Sequence, residues 1–428
     1  MSHSLQLLLL LAIIIAAAKL AGAAANRVGQ PAVFGEILAG LLLGPTLLNL
    51  LGWSIFTAAV PSSGVAPAAP LGAIVSDLAE VGVILLMFIA GMETDLAQMR
   101  RVGKVAFWAA AGGVVLPLIA GALTATAFGL PLFWQGIFIG TILTATSVSI
   151  SAQTLMEIGA LRSKEGSVIL GAAVIDDVMG IVLLSVVVAF ARGSGRPDVA
   201  GLVLIVFRIA VFFAVAVFCG RYLPALVRAA DRLGVSQGLL GLVLVVTFLY
   251  AWGAEYIGEM AAITGSYVAG VLFARTPRKE RIDQGIHPLT YSLFVPIFFV
   301  SIGLRANARE LGADIWFALA LVSVAIVTKA VGCAALAAVG GFTRREAVRV
   351  GVGMISRGEV GLIVASYGLA HGVIGGNVFS ASVVMVLVTT MITPPLLRLV
   401  FPPRHARHAP IVEETVGGPP EEEHGRRR

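Results

Sequence analysis

Long apolar runs recur along almost the whole chain, and they constrain its fold more than any other feature. The runs are about 18 to 26 residues long, the length that an α-helix needs to cross the ~30 Å hydrocarbon core of a bilayer. Hydrophobic residues make up 58% of the chain and charged residues only 13%, which excludes an ordinary soluble globular domain. The pattern therefore predicts an all-α polytopic membrane protein.

The apolar runs predict thirteen transmembrane helices, which we number in chain order as predicted helices 1 to 13. Their approximate ranges are 4–25, 31–50, 71–93, 105–128, 134–157, 166–191, 200–220, 238–256, 260–275, 288–304, 314–340, 347–371 and 378–400. With the N-terminus outside, the inner connections hold sixteen Lys and Arg residues and the outer ones four. The positive-inside rule then predicts an inner (plasma) membrane protein with a cytoplasmic C-terminus, so the net charge of +6 reflects topology and not nucleic-acid binding.

The two ends of the chain differ in composition from the membrane segments between them. "LLLLLAIIIAAA" followed by "AGAAAN" is compatible with a signal peptide, but "MSHS" lacks a positive n-region, so we expect a retained helix. Residues 402–428 are rich in Pro and charge, which predicts a disordered cytoplasmic tail. Cys219 and Cys333 lie inside apolar runs and the six histidines lack metal-ligand spacing, so neither a disulfide framework nor a cofactor is expected.

Stretches of the first half return in the second half in the same order. "GEILAGLL" (35–42) resembles "GSYVAGVL" (265–272), and "LMFIAGM" (86–92) resembles "FFVSIGL" (298–304). Six helices return the chain to its starting side and the seventh crosses once more, so the second set of six begins on the opposite face. The parity predicts two inverted six-helix repeats joined by a linker helix, an architecture of secondary transporters.

The fifth helix of each repeat contains residues that interrupt helices. Predicted helix 5 has hydroxyls crowded in "GTILTATSVSISAQT" (140–154), and predicted helix 12 has four glycines around a charged pair in "GVGMISRGEVG" (351–361). Hydroxyls and glycines allow a membrane helix to unwind while its backbone groups find other partners. Ordinary small-residue helix packing is the alternative for predicted helix 5. The equivalent positions of the two segments favour a pair of broken helices at a transport site.

Charges from three helices fall at the same depth in the membrane. Asp176 and Asp177 in "GAAVIDDVMGIVLLS" (171–185), Lys329, and the pair Arg357 and Glu359 all lie near the middle of their predicted helices. A charge at the bilayer centre costs at least about 2.5–3.5 kcal/mol, so such residues pair with one another or line a wet cavity. We therefore predict one polar site, in which Arg357 and Glu359 alternatively form a purely structural pair.

The adjacency of the two aspartates limits what they can do. Successive helical residues point about 100° apart, so both carboxylates cannot face one partner. One of them can pair with a lysine while the other faces an aqueous cavity and binds a hard monovalent cation, together with hydroxyl and backbone oxygens of predicted helix 5. Because a low-dielectric cavity favours the neutral acid, protons compete with the cation for that carboxylate. Such competition is itself a mechanism of exchange.

Six motifs together resemble the monovalent cation:proton antiporter-2 family, and the sodium/proton antiporters of the NapA type in particular. They are "GAAVIDDVMGIVLLS", "LTATSVSISAQTLMEIGAL", "QPAVFGEILAGLLLGP", "LMFIAGMETDL", the lysine of "TKAVG" and "RGEVGLIVASYGL", and the match runs from about residue 28 to residue 400. The resemblance implies a thirteen-helix homodimeric antiporter with two crossing broken helices and a role in pH homeostasis. Ser356 is a departure, since close relatives often have proline there.

The resemblance also implies domains and residue roles. Sodium or lithium would be exchanged electrogenically for protons by alternating access. Asp177 would be the main carboxylate for the cation and the proton, and Asp176, also a candidate sodium ligand, would pair with Lys329. Thr144 and Thr146 would belong to the unwound crossing, and Arg357 and Glu359 would stabilise the core. The implied domains are a dimerisation domain (1–65 and 238–304), a mainly ion-translocating core (71–193 and 314–400), a linker helix (199–232) and the tail (402–428).

Several alternatives stay open at this point. Residue types alone do not separate sodium from potassium, although potassium-efflux relatives usually have a Gln-Asp pair and a nucleotide-binding domain. A passive cation channel would conduct without proton exchange. An intramembrane aspartyl protease would carry a Gly-x-Gly-Asp motif, which does not occur in the chain. We also expect Gly40 and Gly44 of predicted helix 2 to give close helix contacts between the two protomers of a dimer.

Overall fold

The computed structural model of the chain describes residues 2–56, 70–191, 199–230, 235–305, 315–370 and 372–401. The described residues form α-helices with short 3-10 and π turns and contain no β-strand. Most of the loop between predicted helices 2 and 3 and the predicted tail 402–428 lie outside this part of the chain.

Seventeen α-helices occupy the described residues and are numbered here in chain order. They are α1 (His3–Arg27), α2 (Ala32–Leu43), α3 (Leu71–Glu93), α4 (Leu96–Ala127), α5 (Ile137–Thr144), α6 (Val148–Glu157), α7 (Lys164–Ala191), α8 (Val199–Gly220), α9 (Leu223–Ala230), α10 (Gly238–Tyr256), α11 (Ala262–Phe273), α12 (Lys279–Leu289), α13 (Val295–Leu304), α14 (Ile315–Val339), α15 (Arg344–Gly353), α16 (Glu359–Ala370) and α17 (Gly376–Val400). Helices lie in all of the predicted segments.

Ten helical segments of the described chain are long and apolar enough to cross a membrane. Three shorter apolar helices, Ala32–Leu43, Ala262–Phe273 and Val360–Leu369, accompany them. The prediction of an all-α polytopic membrane protein is confirmed.

Some helix ends differ from the prediction. Helix α2 ends at Leu43 and not near residue 50, because Pro45 disfavours the helical conformation of the preceding residue and Gly44 is extended (ψ −179°). Helix α4 begins at Leu96 and not at 105, because the Asp95 side chain accepts hydrogen bonds from two backbone N–H groups of its first turn. Helix α13 continues α12 through a π turn at Thr290–Phe294.

The helices pack in two groups. In the first group, α1 packs on α2, α2 on α13, and α3 on both α11 and α13, with α10 against α11. In the second group, α4 packs on α5, α7 and α14, while α17 lies against α6, α14, α15 and α16. Helix α8 contacts α7 of the second group and α10 and α11 of the first. We call these sets the first and second helix groups.

The expectation that Gly40 and Gly44 face another protomer is wrong. A Cβ atom on Gly40 would overlap the carbonyl oxygen of Val300, and one on Gly44 would lie 2.8 Å from that of Gly303. Both glycines therefore pack against α13 of the same chain. The missing side chains allow the two backbones to approach, as in other small-residue contacts between membrane helices.

Candidate functional site

Two membrane segments of the second helix group are interrupted at the predicted places. Helix α5 ends at Thr144 and α6 begins at Val148, while α15 ends at Gly353 and α16 begins at Glu359. The residues between α5 and α6 include extended Ala145 (ψ 137°). Each interruption frees backbone groups from their helical partners inside the protein, and these groups are available for other contacts.

The two interruptions lie directly against each other. The backbone N–H of Ser147 donates to the carbonyl oxygen of Ser356 at 2.9 Å, and the Ser356 hydroxyl donates to the carbonyl oxygen of Ser147 at 2.9 Å. The Ser151 hydroxyl donates to the Gly353 carbonyl oxygen at 2.6 Å. Ser356, the departure noted in the sequence, thus supplies a hydroxyl that joins the two breaks.

Lys329 of α14 extends its ammonium group to the first of these breaks. Its Nζ donates to Asp176 Oδ1 at 2.9 Å and Oδ2 at 3.1 Å, to the Gly113 carbonyl oxygen at 2.8 Å and to the Thr144 carbonyl oxygen at 2.7 Å. The Lys329 side chain is fully buried. Charged partners and carbonyls offset the desolvation of a buried ammonium, so removal of one partner is costly. The structure thus brings Lys329, Asp176 and Thr144 together.

A glycine doublet in α4 makes room for the ammonium. A Cβ atom on Gly113 would lie 2.6 Å from Cys333 Sγ and 3.1 Å from Lys329 Nζ. A Cβ atom on Gly112 would overlap the carbonyl oxygen of Gly332 in α14. The α4–α14 contact therefore depends on bare backbone at the level of the lysine. Sequence reasoning missed Gly113, although the doublet near the middle of an apolar run was a usable signal.

Asp177 contacts the opposite helix group from its neighbour. Its Oδ2 accepts a hydrogen bond of 3.2 Å from the hydroxyl of Thr264 in α11, and 8% of the residue is exposed. Asp176 is 2% exposed and bonded to Lys329. The two adjacent carboxylates thus point to different partners, as their helical spacing requires. Thr264 was not predicted, because no local pattern marks a threonine of one helix as a neighbour of another.

The two predicted threonines contribute in different ways. The Thr144 hydroxyl donates to the Thr141 carbonyl oxygen of its own helix at 2.8 Å, so Thr144 reaches the site through its carbonyl and not its hydroxyl. Thr146 is buried, and its hydroxyl has no hydrogen-bond partner within the described part of the chain. A buried oxygen without a partner beside a helix break is chemically suited to a hard cation.

Arg357 is fully buried at the second break. Its guanidinium donates to the carbonyl oxygens of Met354 at 3.3 Å, Ile355 at 3.2 Å and Ala325 at 3.3 Å, which joins the break to α14. Glu359 begins α16, but its side chain lies outside the described residues, so the pair with Arg357 stays a prediction.

Polar contacts also join the two helix groups at the far end of α6. The Glu157 carboxylate accepts from the backbone N–H of Ala32 at 2.7 Å and from Gln153 Nε2 at 2.9 Å. The Tyr291 hydroxyl donates to Gln153 Oε1 at 2.9 Å. Because Glu157 accepts from the first turn of α2, it stabilises that helix N-terminus from the other group. The sequence analysis missed these contacts, which join residues far apart in the chain.

Comparisons with known proteins identify the family to which the chain belongs. The family model described as "Sodium/hydrogen exchanger, transmembrane" matches residues 11–401. The chain is 38% identical over 394 residues to the Na(+)/H(+)-K(+) antiporter GerN of Bacillus cereus, covering 91% of this chain and 95% of that protein. It is 34% identical over 389 residues to a Na(+)/H(+) antiporter of Enterococcus hirae, covering 91% of this chain and 96% of the relative.

A solved structure shares the fold. The sodium proton antiporter MjNhaP1 from Methanocaldococcus jannaschii superimposes with a TM-score of 0.67 at 16% sequence identity, covering 93% of this chain and 97% of that one. The extent of the family match, the identity to the bacterial antiporters and the multi-pass helical fold agree with the resemblance found in the sequence. The chain belongs to the sodium/hydrogen exchanger family of membrane antiporters.

Proposed function

We propose that the protein exchanges sodium or lithium for protons by alternating access and that the exchange is electrogenic. One observation carries this proposal: the adjacent acids Asp176 and Asp177 have different partners, Lys329 and Thr264. An acid bonded to a lysine and an acid at the boundary between two helix groups can perform different tasks. The names of the bacterial relatives support sodium/proton exchange.

Asp177 carries the transported cation or proton in this mechanism. Its helix α7 packs on both α5 and α6, so the Thr146 hydroxyl and the carbonyl oxygens of the unwound segment would complete the shell of a hard cation. Sodium and the proton bind to the same carboxylate, so they bind in alternation. Exclusion of one by the other couples their opposite movements.

Asp176 and Lys329 make the exchange electrogenic. In the absence of sodium the Asp176 carboxylate holds the ammonium charged. When sodium binding draws Asp176 into its coordination shell, the ammonium loses its principal partner and releases a proton to the cavity. More protons than sodium ions then cross in each cycle, so the rate depends on membrane voltage.

Alternating access requires movement of one helix group past the other. We assign the second helix group to the mobile core, the first to the dimerisation scaffold of a homodimer, and α8 to the linker. Helix α3 was assigned mainly to the core from sequence, but it packs on α11 and α13, so we assign it to the scaffold. Helix α8 contacts α7 of the second group and α10 and α11 of the first, which suits a linker between the two.

We also propose thirteen membrane segments in two inverted repeats. The ten long segments, together with α2, α11 and the α15–α16 pair, would give thirteen membrane segments. The glycine contacts support the repeat: Gly40 packs beside Gly303, and Gly270 beside Gly91. In the two sequence matches, Gly40 corresponds to Gly270 and Gly303 corresponds to Gly91. The Gly40–Gly303 contact of one repeat therefore corresponds to the Gly270–Gly91 contact of the other. The N-terminus is placed outside and the C-terminus in the cytoplasm of the plasma membrane on the charge distribution.

Potassium/proton exchange is the second candidate. The printed name of GerN includes potassium, and a relative in Saccharomyces cerevisiae that is 28% identical is named a K(+)/H(+) antiporter. Purified protein in vesicles that contain a pH-sensitive dye decides between the two. Sodium or lithium should collapse an imposed proton gradient with high apparent affinity and potassium should not; a response to potassium alone would establish the alternative.

A further inference from the structure

We propose that Thr264 is a positioning residue that holds the Asp177 carboxylate ready for sodium while the cavity faces outside. The inference rests on the proposed function and adds a residue to the same site. Thr264 lies in the first turn of α11, on the scaffold, and is 3% exposed. Its hydroxyl donates to Asp177 Oδ2 at 3.2 Å, so a residue of the scaffold bonds to the ion-carrying acid of the core.

The hydrogen bond from Thr264 orients the Asp177 carboxylate and does not itself bind the cation. A hydroxyl that donates to one carboxylate oxygen restricts rotation of the group and so fixes the direction in which its oxygens face a cation. The N-terminal turn of α11 also places its partial positive charge near the carboxylate, which adds to the effect. A preorganised ligand binds more tightly because the cation does not have to order it.

Contacts at the C-terminal end of α6 indicate from which side of the membrane Asp177 is accessible. Glu157 bonds to the backbone of Ala32, and Gln153 bonds to Tyr291, across the boundary between core and scaffold. In the proposed orientation these residues lie at the cytoplasmic end, where their bonds hold the two helix groups together. With the cytoplasmic side held closed by these bonds, alternating access leaves the outer side as the route by which sodium reaches Asp177.

Movement of the core must break the Thr264 contact. The bond is already 3.2 Å long, and hydrogen bonds are lost beyond about 3.5 Å, so a displacement of a few ångströms separates the two residues. Thr264 then affects sodium binding from outside but not from the cytoplasm. This asymmetry distinguishes a positioning role from a general contribution to stability.

The test compares Thr264→Val, Thr264→Ser and a matched control in oriented membrane vesicles. Thr247→Val is the control, because Thr247 is fully buried in neighbouring α10 and its hydroxyl has no hydrogen-bond partner within the described residues. The half-saturating sodium concentration is measured in right-side-out and everted vesicles. Thr264→Val should raise the external value about tenfold, the effect of losing one hydrogen bond to a charged group. The cytoplasmic value and the maximal rate should stay within about twofold of the parent.

Thr264→Ser should restore the parent value on both sides, and Thr247→Val should resemble the parent. If Thr264→Val does not assemble, Thr264→Cys replaces it, because a thiol is a weak donor of similar size. An unchanged external value, equal changes on both faces, or a serine variant that behaves like the valine variant overturns the proposal. Absence of sodium/proton exchange in the parent instead overturns the proposed function, so the two failures are distinguishable.

Discussion

At the scale of residues, Asp177 and Asp176 have identical side chains and differ in the residues to which they bond. Asp177→Asn preserves the size of the side chain and removes its charge and titratable proton, so we expect sodium-driven proton movement to be abolished in a folded dimer. Dye fluorescence in proteoliposomes and size-exclusion chromatography measure the two properties. Exposed Asp77 on α3 provides a matched control, and Asp77→Asn should retain parental exchange. Near-parental exchange by Asp177→Asn would contradict the assignment.

We expect Lys329 to determine whether exchange moves net charge. Lys329→Gln removes the ammonium from a fully buried site, while Asp177 remains able to bind sodium and protons. We expect residual exchange without voltage dependence, since a charge that crosses a potential contributes about 2.3 kcal/mol per 100 mV. Exchange is measured with and without an imposed potential. A variant that still moves net charge as the parent does would mean that Lys329 is only a structural partner of Asp176.

At the scale of elements, the α4–α14 contact positions the lysine. Gly112→Ala would push its new Cβ into the Gly332 carbonyl oxygen, and the two helices would have to separate. We expect a loss of about 1–3 kcal/mol of stability, as in other overpacked sites. The measurement is thermal unfolding in detergent together with exchange activity.

Gly103 supplies the matched control for this prediction. It lies in the same helix, and a Cβ atom there would meet nothing within 4 Å. Because alanine favours helix over glycine by up to about 1 kcal/mol, Gly103→Ala should leave stability unchanged or raise it. If both variants melt at the same temperature, the close approach of α4 and α14 does not limit stability.

At the scale of the whole molecule, the contact between Gln153 and Tyr291 should separate in each transport cycle. Cysteines at these two positions, in a chain that lacks Cys219 and Cys333, should form a crosslink with a short bifunctional thiol reagent and arrest exchange. The pair Thr94 and Tyr267 is the control, because its hydroxyls lie 3.1 Å apart within the first helix group. Crosslinking of that pair should leave exchange intact. Full activity of the crosslinked Gln153–Tyr291 pair would contradict movement between the helix groups.

The sequence by itself determined the membrane class, the helical segments and both helix breaks. These features follow from local composition measured against a bilayer of known thickness, so they need no knowledge of neighbours. The expected chemistry of Asp176, Asp177 and Lys329 also rested on this local information, together with the resemblance to a family. Helix ends were less accurate, as at α2, because they depend on single residues such as Pro45.

Only the tertiary structure decided which oxygens and hydroxyls meet at the site. Thr144 reaches Lys329 through its carbonyl, and Thr264 reaches Asp177 from another helix group. It also showed that Gly40 packs within its own chain and that α3 packs with the first helix group. The physical reason is that an apolar helix in a membrane has no strongly preferred face. Its partners are chosen by shape and by the few polar groups that must be satisfied, and both depend on residues far away in the chain.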